Sequence, residues 1–335
     1  MKKSICLVLA TVLLFTLSAV CQAENLHVIA GPVIGIAWRA DADSEFFTNI
    51  CRAVESAGGT WVMLEQVRSA DLQYDSEGRL TQGVTHLGSL NEAAAKSIRV
   101  NTWHDSNAAE AVGSVSIVLF TGGEDISPSL YFNPEPWHGI VEEIDFNAER
   151  DVSDYLTMTY CLDHDIPVMG FCRGMQMLSV VSGAETIQDL PAYFSELGIS
   201  YGYEHRNRKE TPASYRDYAP HDVQVAPDSF LREMVGTDVL TGCPSWHHQA
   251  VKSVDNTRLL ITGFTGTNGV QIIEAVERTD KTFAVGLQFH PEAALVKHLE
   301  KADNRNDFMD YDTALSIFQW IVEEKYLGQD AADAA

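Results

Sequence analysis

Cys172 stands between two glycines in the segment Gly170–Gly174, where an apolar run gives way to a helical pattern. A sharp strand-to-helix turn crowds the neighbours of its central residue, so flanking residues without a Cβ atom are needed. The N-terminus of the following helix favours a thiolate over a thiol. The segment predicts a nucleophile elbow with Cys172 as nucleophile, and a buried structural cysteine in such a turn is the alternative.

His290 and Glu292 flank Pro291, just after an apolar run that ends near Gln288. A nucleophilic thiol needs a base within hydrogen-bond reach, and the base needs a group that fixes its tautomer. We expect extended backbone here, which would project both side chains the same way. Together with the elbow, the pair predicts a base and its orienter, whereas alone it would indicate a surface histidine beside a loop.

The segment Thr121–Asp125 ends another apolar run and contains two consecutive glycines. Ligands of parallel α/β sheets bind at the carboxyl ends of strands. Glycines there let backbone N–H groups approach a substrate oxygen, so this loop and the N–H of Arg173 predict an oxyanion hole. An ordinary Gly–Gly turn with Asp125 capping the next helix is the alternative.

The elements that must position these residues alternate between short apolar runs and helical periodicity, which predicts an α/β fold with a mostly parallel central sheet flanked by helices. A single domain is expected over residues 24–330. Predicted strands are Val33–Trp38, Trp61–Leu64, Val115–Phe120, Pro167–Phe171, Asp222–Val225, Leu259–Thr262, Val270–Val276 and Phe283–Phe289. Predicted helices are Ser44–Ala57, Asn91–Ile98, Phe146–Asp163, Arg173–Ser182 and Asp307–Tyr326.

Residues 65–112 interrupt this alternation with polar, glycine-containing segments around the helix predicted at Asn91–Ile98. We interpret them as an insertion. Because the following strand leads into the Gly–Gly loop, the insertion is either a mobile lid over the site or a surface excursion.

Several motifs resemble the class I glutamine amidotransferases and, more narrowly, the peptidase C26 group, especially γ-glutamyl-γ-aminobutyrate hydrolases. The resemblance extends from about Pro32 to Trp320. The motifs that carry it are Gly122–Tyr131, Glu149–Asp151, Cys172–Gln176, Tyr218–Val223, Ser245–Ala250 and Gly286–Glu292.

This resemblance implies a flavodoxin-like hydrolase core with Cys172, His290 and Glu292 as a catalytic triad. It also implies that Gly123 and Arg173 supply the oxyanion N–H groups and that no cofactor is needed. Gln176 and the segment Ser245–Gln249, which includes Trp246 and His247, would hold a γ-glutamyl group. The chain departs from the family pattern in two places. These are Cys243–Pro244, just before the serine of the Ser245–Ala250 motif, and the long segment 65–112. Both departures concern the choice of substrate.

The N-terminus has two lysines, an apolar run Ser4–Val20 and a small residue, Ala23, before Glu24. This order predicts a signal peptide over residues 1–23 and export to the periplasm or the medium. Lipid attachment at Cys21 is a lesser alternative. Of the remaining cysteines, Cys51, Cys161 and Cys243 can form one disulfide bond at most if Cys172 stays free, and buried free thiols are favoured.

The formal net charge of −24 disfavours binding to nucleic acid or anionic membranes. We expect no metal site, because the adjacent side chains of His247 and His248 should point apart. The predicted function is an exported cysteine hydrolase of small γ-glutamyl compounds. A glutaminase subunit and a non-catalytic γ-glutamyl-binding protein are the alternatives. The sequence fixes neither the amine released nor the oligomeric state, for which a homodimer is one option.

Overall fold

A computed structural model of the protein describes residues 31–206, 218–301 and 307–327. The predicted signal segment, residues 1–23, lies outside these described residues. The strands are β1 Val33–Ile36, β2 Thr60–Met63, β3 Ile117–Phe120, β4 Val168–Phe171, β5 Glu185–Ile187, β6 Ala219–Val225, β7 Val239–Ser245, β8 Ala250–Ser253, β9 Leu259–Thr267, β10 Val270–Arg278 and β11 Ala284–Leu287. The helices are α1 Glu45–Ser56, α2 Glu92–Asn101, α3 Ala108–Val112, α4 Ala148–Asp163, α5 Arg173–Val181, α6 Leu190–Glu196, α7 Phe230–Val235, α8 Pro291–Glu300 and α9 Tyr311–Val322, with short 3₁₀ turns at Pro128–Leu130, Val141–Glu143 and Lys325–Leu327.

The central sheet has the strand order β2-β1-β3-β4-β11-β10-β9-β6-β7. Strands β2, β1, β3, β4 and β11 are parallel to one another. From β11 onward each neighbouring pair is antiparallel, so β10, β9, β6 and β7 extend the sheet on one side. A separate pair joins β5 and β8. The predicted α/β class with a flanked, mostly parallel core sheet is confirmed.

The inner parallel strands β3, β4 and β11 are buried on both faces, because helices cover both sides of them. In β4, Met169 and Phe171 join a core with residues of α1, α8 and α9, whereas Val168 joins a core with residues of α4 and α5. Strand alternation thus sends successive side chains into two hydrophobic cores. Burying one such side chain contributes about 1.5–3 kcal/mol.

The loops that follow β3, β4 and β11 leave neighbouring strands at the same sheet edge, since these three strands are adjacent and parallel. Gly122 and Gly123 follow β3, Cys172 follows β4, and His290 follows β11. The topology therefore brings the three predicted site segments together, although they are far apart in the chain.

The predicted insertion, residues 65–112, contains helix α2, which packs against the rest of the fold. Leu90, Ala95 and Ile98 are almost completely buried in the core that contains α4 and α5. The backbone N–H of Leu90 donates to Ser127 Oγ, and the N–H of Val67 donates to Ser153 Oγ. The polar turns of this segment thus surround a helix, α2, whose apolar face is buried.

All four cysteines of the described residues, Cys51, Cys161, Cys172 and Cys243, are buried free thiols. Burial raises the pKa of Cys51 to about 12 and also raises those of Cys161 and Cys243, so these three side chains are small apolar groups in the core. In the part of the chain that the structure describes, no helix is long and apolar enough to cross a membrane.

Candidate active site

Cys172 occupies the turn between β4 and α5 with φ 50° and ψ −103°, a conformation that non-glycine residues rarely adopt. A Cβ atom on Gly170 would lie 2.3 Å from the carbonyl carbon of Gly174, and one on Gly174 would lie 2.4 Å from the carbonyl oxygen of Phe120. Both flanking glycines are therefore required by the close approach of α5 to the sheet. The strained elbow holds the Cys172 side chain at the N-terminus of α5.

His290 and Glu292 form a buried pair, with Nδ1 of His290 2.6 Å from Oε1 of Glu292. The local backbone differs from the expected extended segment, because Pro291 begins helix α8 and His290 is its N-cap residue. Proline suits the first helical position, since that residue's N–H has no helical partner. Glu292 thus approaches His290 from the first turn of a helix.

The His290 ring lies among aromatic side chains, 5.2 Å from Phe46 and 5.3 Å from Tyr218 between ring centroids. Burial lowers the pKa of His290, but the negative charges of Glu292 and Cys172 outweigh burial and raise it to about 10. Nε2 has no hydrogen bond of regular geometry within the described residues. A protonated His290 next to Cys172 is the arrangement that stabilises a thiolate and can later donate a proton.

The Gly122–Gly123 peptide is held from one side by two guanidinium groups. The carbonyl oxygen of Gly122 accepts hydrogen bonds from Arg39 Nη1 at 2.6 Å and from Arg150 Nη2 at 3.0 Å. In a trans peptide the N–H points opposite to the C=O. The N–H of Gly123 is therefore turned away from the two arginines, and Gly123 lines the adjacent cavity together with Cys172.

Gly123 has φ 140°, and a Cβ atom there would lie 2.1 Å from Arg150 Nη1. Only glycine fits this position. Arg173 is the first residue of α5, so its N–H belongs to the helix-terminal groups that lack an intrahelical acceptor. One predicted oxyanion donor thus lies on the loop after β3, and the other is the first residue of α5, directly after Cys172.

A buried ion network supports this edge of the sheet. Arg173 pairs with Asp151 at 2.6 Å and also with Asp154, while Arg150 pairs with Glu124 and Asp154. Burial raises the pKa of Glu124, but Arg150 and Arg39 outweigh it and hold that pKa well below its usual range. Desolvation raises the pKa of Asp151 to about 6.

A solvent-connected cavity of about 400 Å³ opens beside Cys172. Of the predicted substrate-binding residues, Gln176, Trp246 and His247 line it. Ser245 does not, because its hydroxyl lies 2.6 Å from His221 Nε2 on the far side of the turn. The remaining lining residues are Gly123, Glu124, Asp125, Glu143, Asp145, Arg206, His248 and Gln249.

The peptidase C26 family model matches residues 85–292, a span that contains Cys172, His290 and Glu292. The chain belongs to the peptidase C26 family. Protein NtpR of Enterococcus hirae is 31% identical over 185 residues, which are 55% of this chain and 70% of NtpR.

Two further relatives of this C26 protein carry names that state an activity. The γ-glutamyl-γ-aminobutyrate hydrolase of Escherichia coli O157:H7 is 31% identical over 152 residues, 45% of this chain and 56% of that protein. The CTP synthase of Sphingopyxis alaskensis is 24% identical over 253 residues, 66% of this chain and 44% of that protein. Family membership supports a γ-glutamyl hydrolase or an amidotransferase-like activity.

In the C26 protein, the cavity also contains charged groups that the sequence analysis did not single out. His248 contacts Asp125 at 2.9 Å and Asp189 at 3.0 Å. Burial lowers the pKa of His248, but its hydrogen bonds with these carboxylates outweigh burial and raise it to about 9. The guanidinium of Arg206 lies over the Trp246 ring, 5.2 Å from its centroid, and pairs with Glu143.

Adjacent His247 and His248 point into different surroundings, as expected for neighbours in a non-helical segment. His248 faces the acidic side of the cavity, whereas His247 joins His205, His221 and Glu274 in a second cluster. The expectation of no metal site did not anticipate this cluster. Its members come from four distant segments, so no local spacing could have indicated it.

Proposed function

We propose that this C26 protein is a cysteine hydrolase that cleaves γ-glutamyl amide bonds through a γ-glutamyl thioester on Cys172. The observation that carries the proposal is the strained Cys172 elbow, which faces a cavity beside the buried His290–Glu292 pair. Acyl transfer requires a nucleophile, a histidine that can donate and then accept a proton, and N–H groups that stabilise the oxyanion.

In the proposed first step, the Cys172 thiolate attacks the side-chain carbonyl carbon of the γ-glutamyl compound. The N–H groups of Gly123 and Arg173 stabilise the negative charge that develops on the carbonyl oxygen. His290 then donates its Nε2 proton to the amine, the C–N bond breaks, and a thioester remains.

In the second step, neutral His290 accepts a proton from water as the water oxygen attacks the thioester carbonyl. The C–S bond breaks, glutamate leaves, and Cys172 and His290 return to the thiolate and the imidazolium. Glu292 keeps the Nδ1 proton of His290 in place through both steps, so that Nε2 always faces the reacting groups.

The charges of the cavity suit a zwitterionic glutamyl group. Arg206 offers a positive charge for the α-carboxylate, and the carboxylates of Glu143 and Asp145 offer negative charge for the α-ammonium group. Gln176 is fixed by its own contacts, since its amide nitrogen donates to Gln249 O at 3.1 Å and Gln288 Oε1 at 3.2 Å. Its position is consistent with a rigid wall of the binding site.

The test is glutamate release from a panel of γ-glutamyl amines, with mass spectrometry of the protein after rapid acid quenching. Wild type should show a γ-glutamyl adduct on Cys172, and Cys172→Ala should lose both adduct and turnover while remaining folded, because alanine fits the elbow. Cys51→Ala is the control, since Cys51 lies in the core away from the cavity, and it should keep both. Turnover in Cys172→Ala equal to wild type would remove the proposal.

An amidotransferase-like role is the second candidate, favoured by the similarity to a CTP synthase. Such a protein would release ammonia from glutamine rapidly only when a synthetase partner is present. Comparing glutamine with γ-glutamyl amines as substrates of the isolated protein separates the two. Tight binding of these compounds without any release would instead indicate a non-catalytic binding protein.

A further inference from the structure

A cluster of three histidines and one glutamate lies behind the wall of the cavity, in the antiparallel half of the sheet. His221 is on β6, Glu274 is on β10, His247 is in the turn between β7 and β8, and His205 precedes β6. One ligand atom from each, Nδ1 or Nε2 of a histidine or a carboxylate oxygen, lies within 4.8 Å of all the others. None of these side chains is Cys172, His290 or Glu292, although His247 also lines the cavity beside Cys172.

The inner atoms of this cluster are buried without regular hydrogen bonds. His205 and Glu274 are 0% exposed and His247 is 3% exposed. Within the described residues, His205 Nδ1, His247 Nε2 and both carboxylate oxygens of Glu274 make no hydrogen bond of regular geometry, although Glu274 Oε1 lies within ion-pair distance of all three histidines. Buried polar atoms are almost always paired, and an unpaired buried carboxylate is especially costly. The ligand atoms of the four side chains thus converge on one buried point without regular hydrogen bonds.

The spacing of these atoms fits a metal ion at the centre. Glu274 Oε1 lies 3.1 Å from His205 Nδ1, 3.6 Å from His221 Nε2 and 3.7 Å from His247 Nε2. Ligands about 2.0–2.1 Å from a tetrahedral Zn²⁺ are separated from one another by about 3.3 Å. Small side-chain shifts would bring the four atoms into that geometry.

The outer nitrogen atoms are occupied in the way that metal-binding histidines require. His247 Nδ1 lies 2.9 Å from the carbonyl oxygen of Gln249, so it carries the proton and leaves Nε2 with a free lone pair. His205 Nε2 lies 3.1 Å from Thr267 Oγ1, which lets Nδ1 be the lone-pair atom. His221 Nε2 is 2.6 Å from Ser245 Oγ, so the Ser245 hydroxyl must turn aside when an ion binds.

We propose that His205, His221, His247 and Glu274 bind one Zn²⁺ ion as a closed structural site. Three imidazoles and one carboxylate suit Zn²⁺, and four protein ligands leave no open position for a reacting water molecule. The ion would tie β6 and β10 to the turn that contains His247. Since Trp246, His247 and Gln249 line the cavity, the same ion would fix the cavity wall.

The neighbouring group of Glu143, Asp189 and His248 is not part of this proposal, although its atoms also lie close together. Both ring nitrogens of His248 already contact carboxylates, at 2.9 Å and 3.0 Å, so neither offers a lone pair to an ion.

The first experiment uses untagged wild-type protein and elemental analysis after extensive dialysis. We expect one equivalent of zinc per chain. Removal with a chelator should lower Tm, and added Zn²⁺ should restore it, a shift of roughly 5 °C at an ion concentration 100-fold above Kd. Replacement with Co²⁺ should give the intense visible absorption of a tetrahedral Co²⁺ site. Absence of metal in purified protein, together with no binding of added Zn²⁺ or Co²⁺, overturns the proposal.

The second experiment compares ligand variants with a matched control. Glu274→Gln keeps the shape of the side chain but removes its charge, and we expect zinc affinity to fall at least about 100-fold. His205→Asn should behave similarly. His86→Asn removes an exposed histidine and should retain one equivalent. If folded Glu274→Gln and His205→Asn keep the zinc content and affinity of wild type, the ion binds elsewhere and the proposal is contradicted. None of these measurements depends on catalytic activity, so failure of the proposed function leaves this test intact.

Discussion

The negative charge of Glu292 acts on His290 across 2.6 Å, and both side chains are fully buried, so there is little solvent screening between the two groups. This contact raises the pKa of His290 and fixes its Nδ1 proton. At the scale of single residues, the catalytic proposal therefore depends as much on Glu292 as on the nucleophile.

We predict that Glu292→Gln lowers kcat by about 10²–10⁴-fold, because the amide removes the charge that stabilises protonated His290. The pKa of His290, measured by NMR or from the pH–rate profile, should fall. Glu300→Gln is the matched control, since Glu300 is an exposed carboxylate at the end of the same helix, paired with Arg52. A kcat equal to that of wild type in Glu292→Gln would contradict the assigned role.

The raised pKa of His290 also predicts a pH dependence of stability. The folded-state pKa is about 10 and the unfolded value is about 6.5. A group whose pKa is raised by folding contributes stability that is fully present below about pH 6.5 and is lost as pH rises towards 10. Denaturant unfolding of wild type and His290→Asn should therefore show a difference in unfolding free energy that shrinks across this window. A difference in unfolding free energy that grows with pH would contradict a raised pKa of His290 in the folded protein.

At the scale of elements, the sequence indicated the parallel half of the fold better than the antiparallel half. Strand β4 and helix α5 are recognisable because a buried apolar run, two glycines and helical periodicity follow one another. Strand β7 was not predicted, since Gly242 and Pro244 resemble turn residues, and it is stabilised by pairing with β6. Helix α8 was missed because His290–Glu292 resembles a loop at the end of a strand.

The candidate site, like the fold, could be predicted from the sequence only where local motifs encode it. The elbow and the His290–Glu292 pair are encoded by local sequence, and the resemblance to a family supplied their partnership. The hydrogen bonds from Arg39 and Arg150 to Gly122 and the cluster around Glu274 depend on tertiary contacts between distant segments. Local spacing carries no signal for such contacts, because their geometry is set by strand order.

Two substitutions in α2 test whether segment 65–112 contributes to the hydrophobic core. Ile98 of α2 is 1% exposed and lies in the core that contains α4 and α5, whereas Val100, two residues further along the same helix, is 69% exposed. We predict that Ile98→Ala lowers the free energy of unfolding by about 2–5 kcal/mol and that Val100→Ala changes it by less than about 0.5 kcal/mol. Equal effects of the two substitutions in denaturant melts would favour a loosely attached segment.

At the scale of the whole molecule, the formal charge of −24 gives the surface a strong negative field. The cavity shares this character, since among the described residues that line it the carboxylates Glu124, Asp125, Glu143 and Asp145 outnumber the cations Arg206 and His248. We infer that γ-glutamyl compounds with a cationic leaving amine should be favoured over those with an anionic one, and that added salt should reduce the preference.

Export is the remaining whole-molecule proposal, and it rests on the order of residues in the first 23 positions. Two lysines, an apolar run that is short for a membrane span and a small residue at Ala23 together suit recognition and cleavage by a secretory pathway. We predict that the exported protein begins at Glu24, as measured by intact-mass spectrometry. Leu9→Arg, which interrupts the apolar run, should keep the protein inside the cell, whereas Leu327→Arg, a matched change at the other end of the chain, should not. A mass that indicates a lipid on Cys21 would replace cleavage after Ala23 by membrane anchoring, and exported protein that retains Met1 would exclude both.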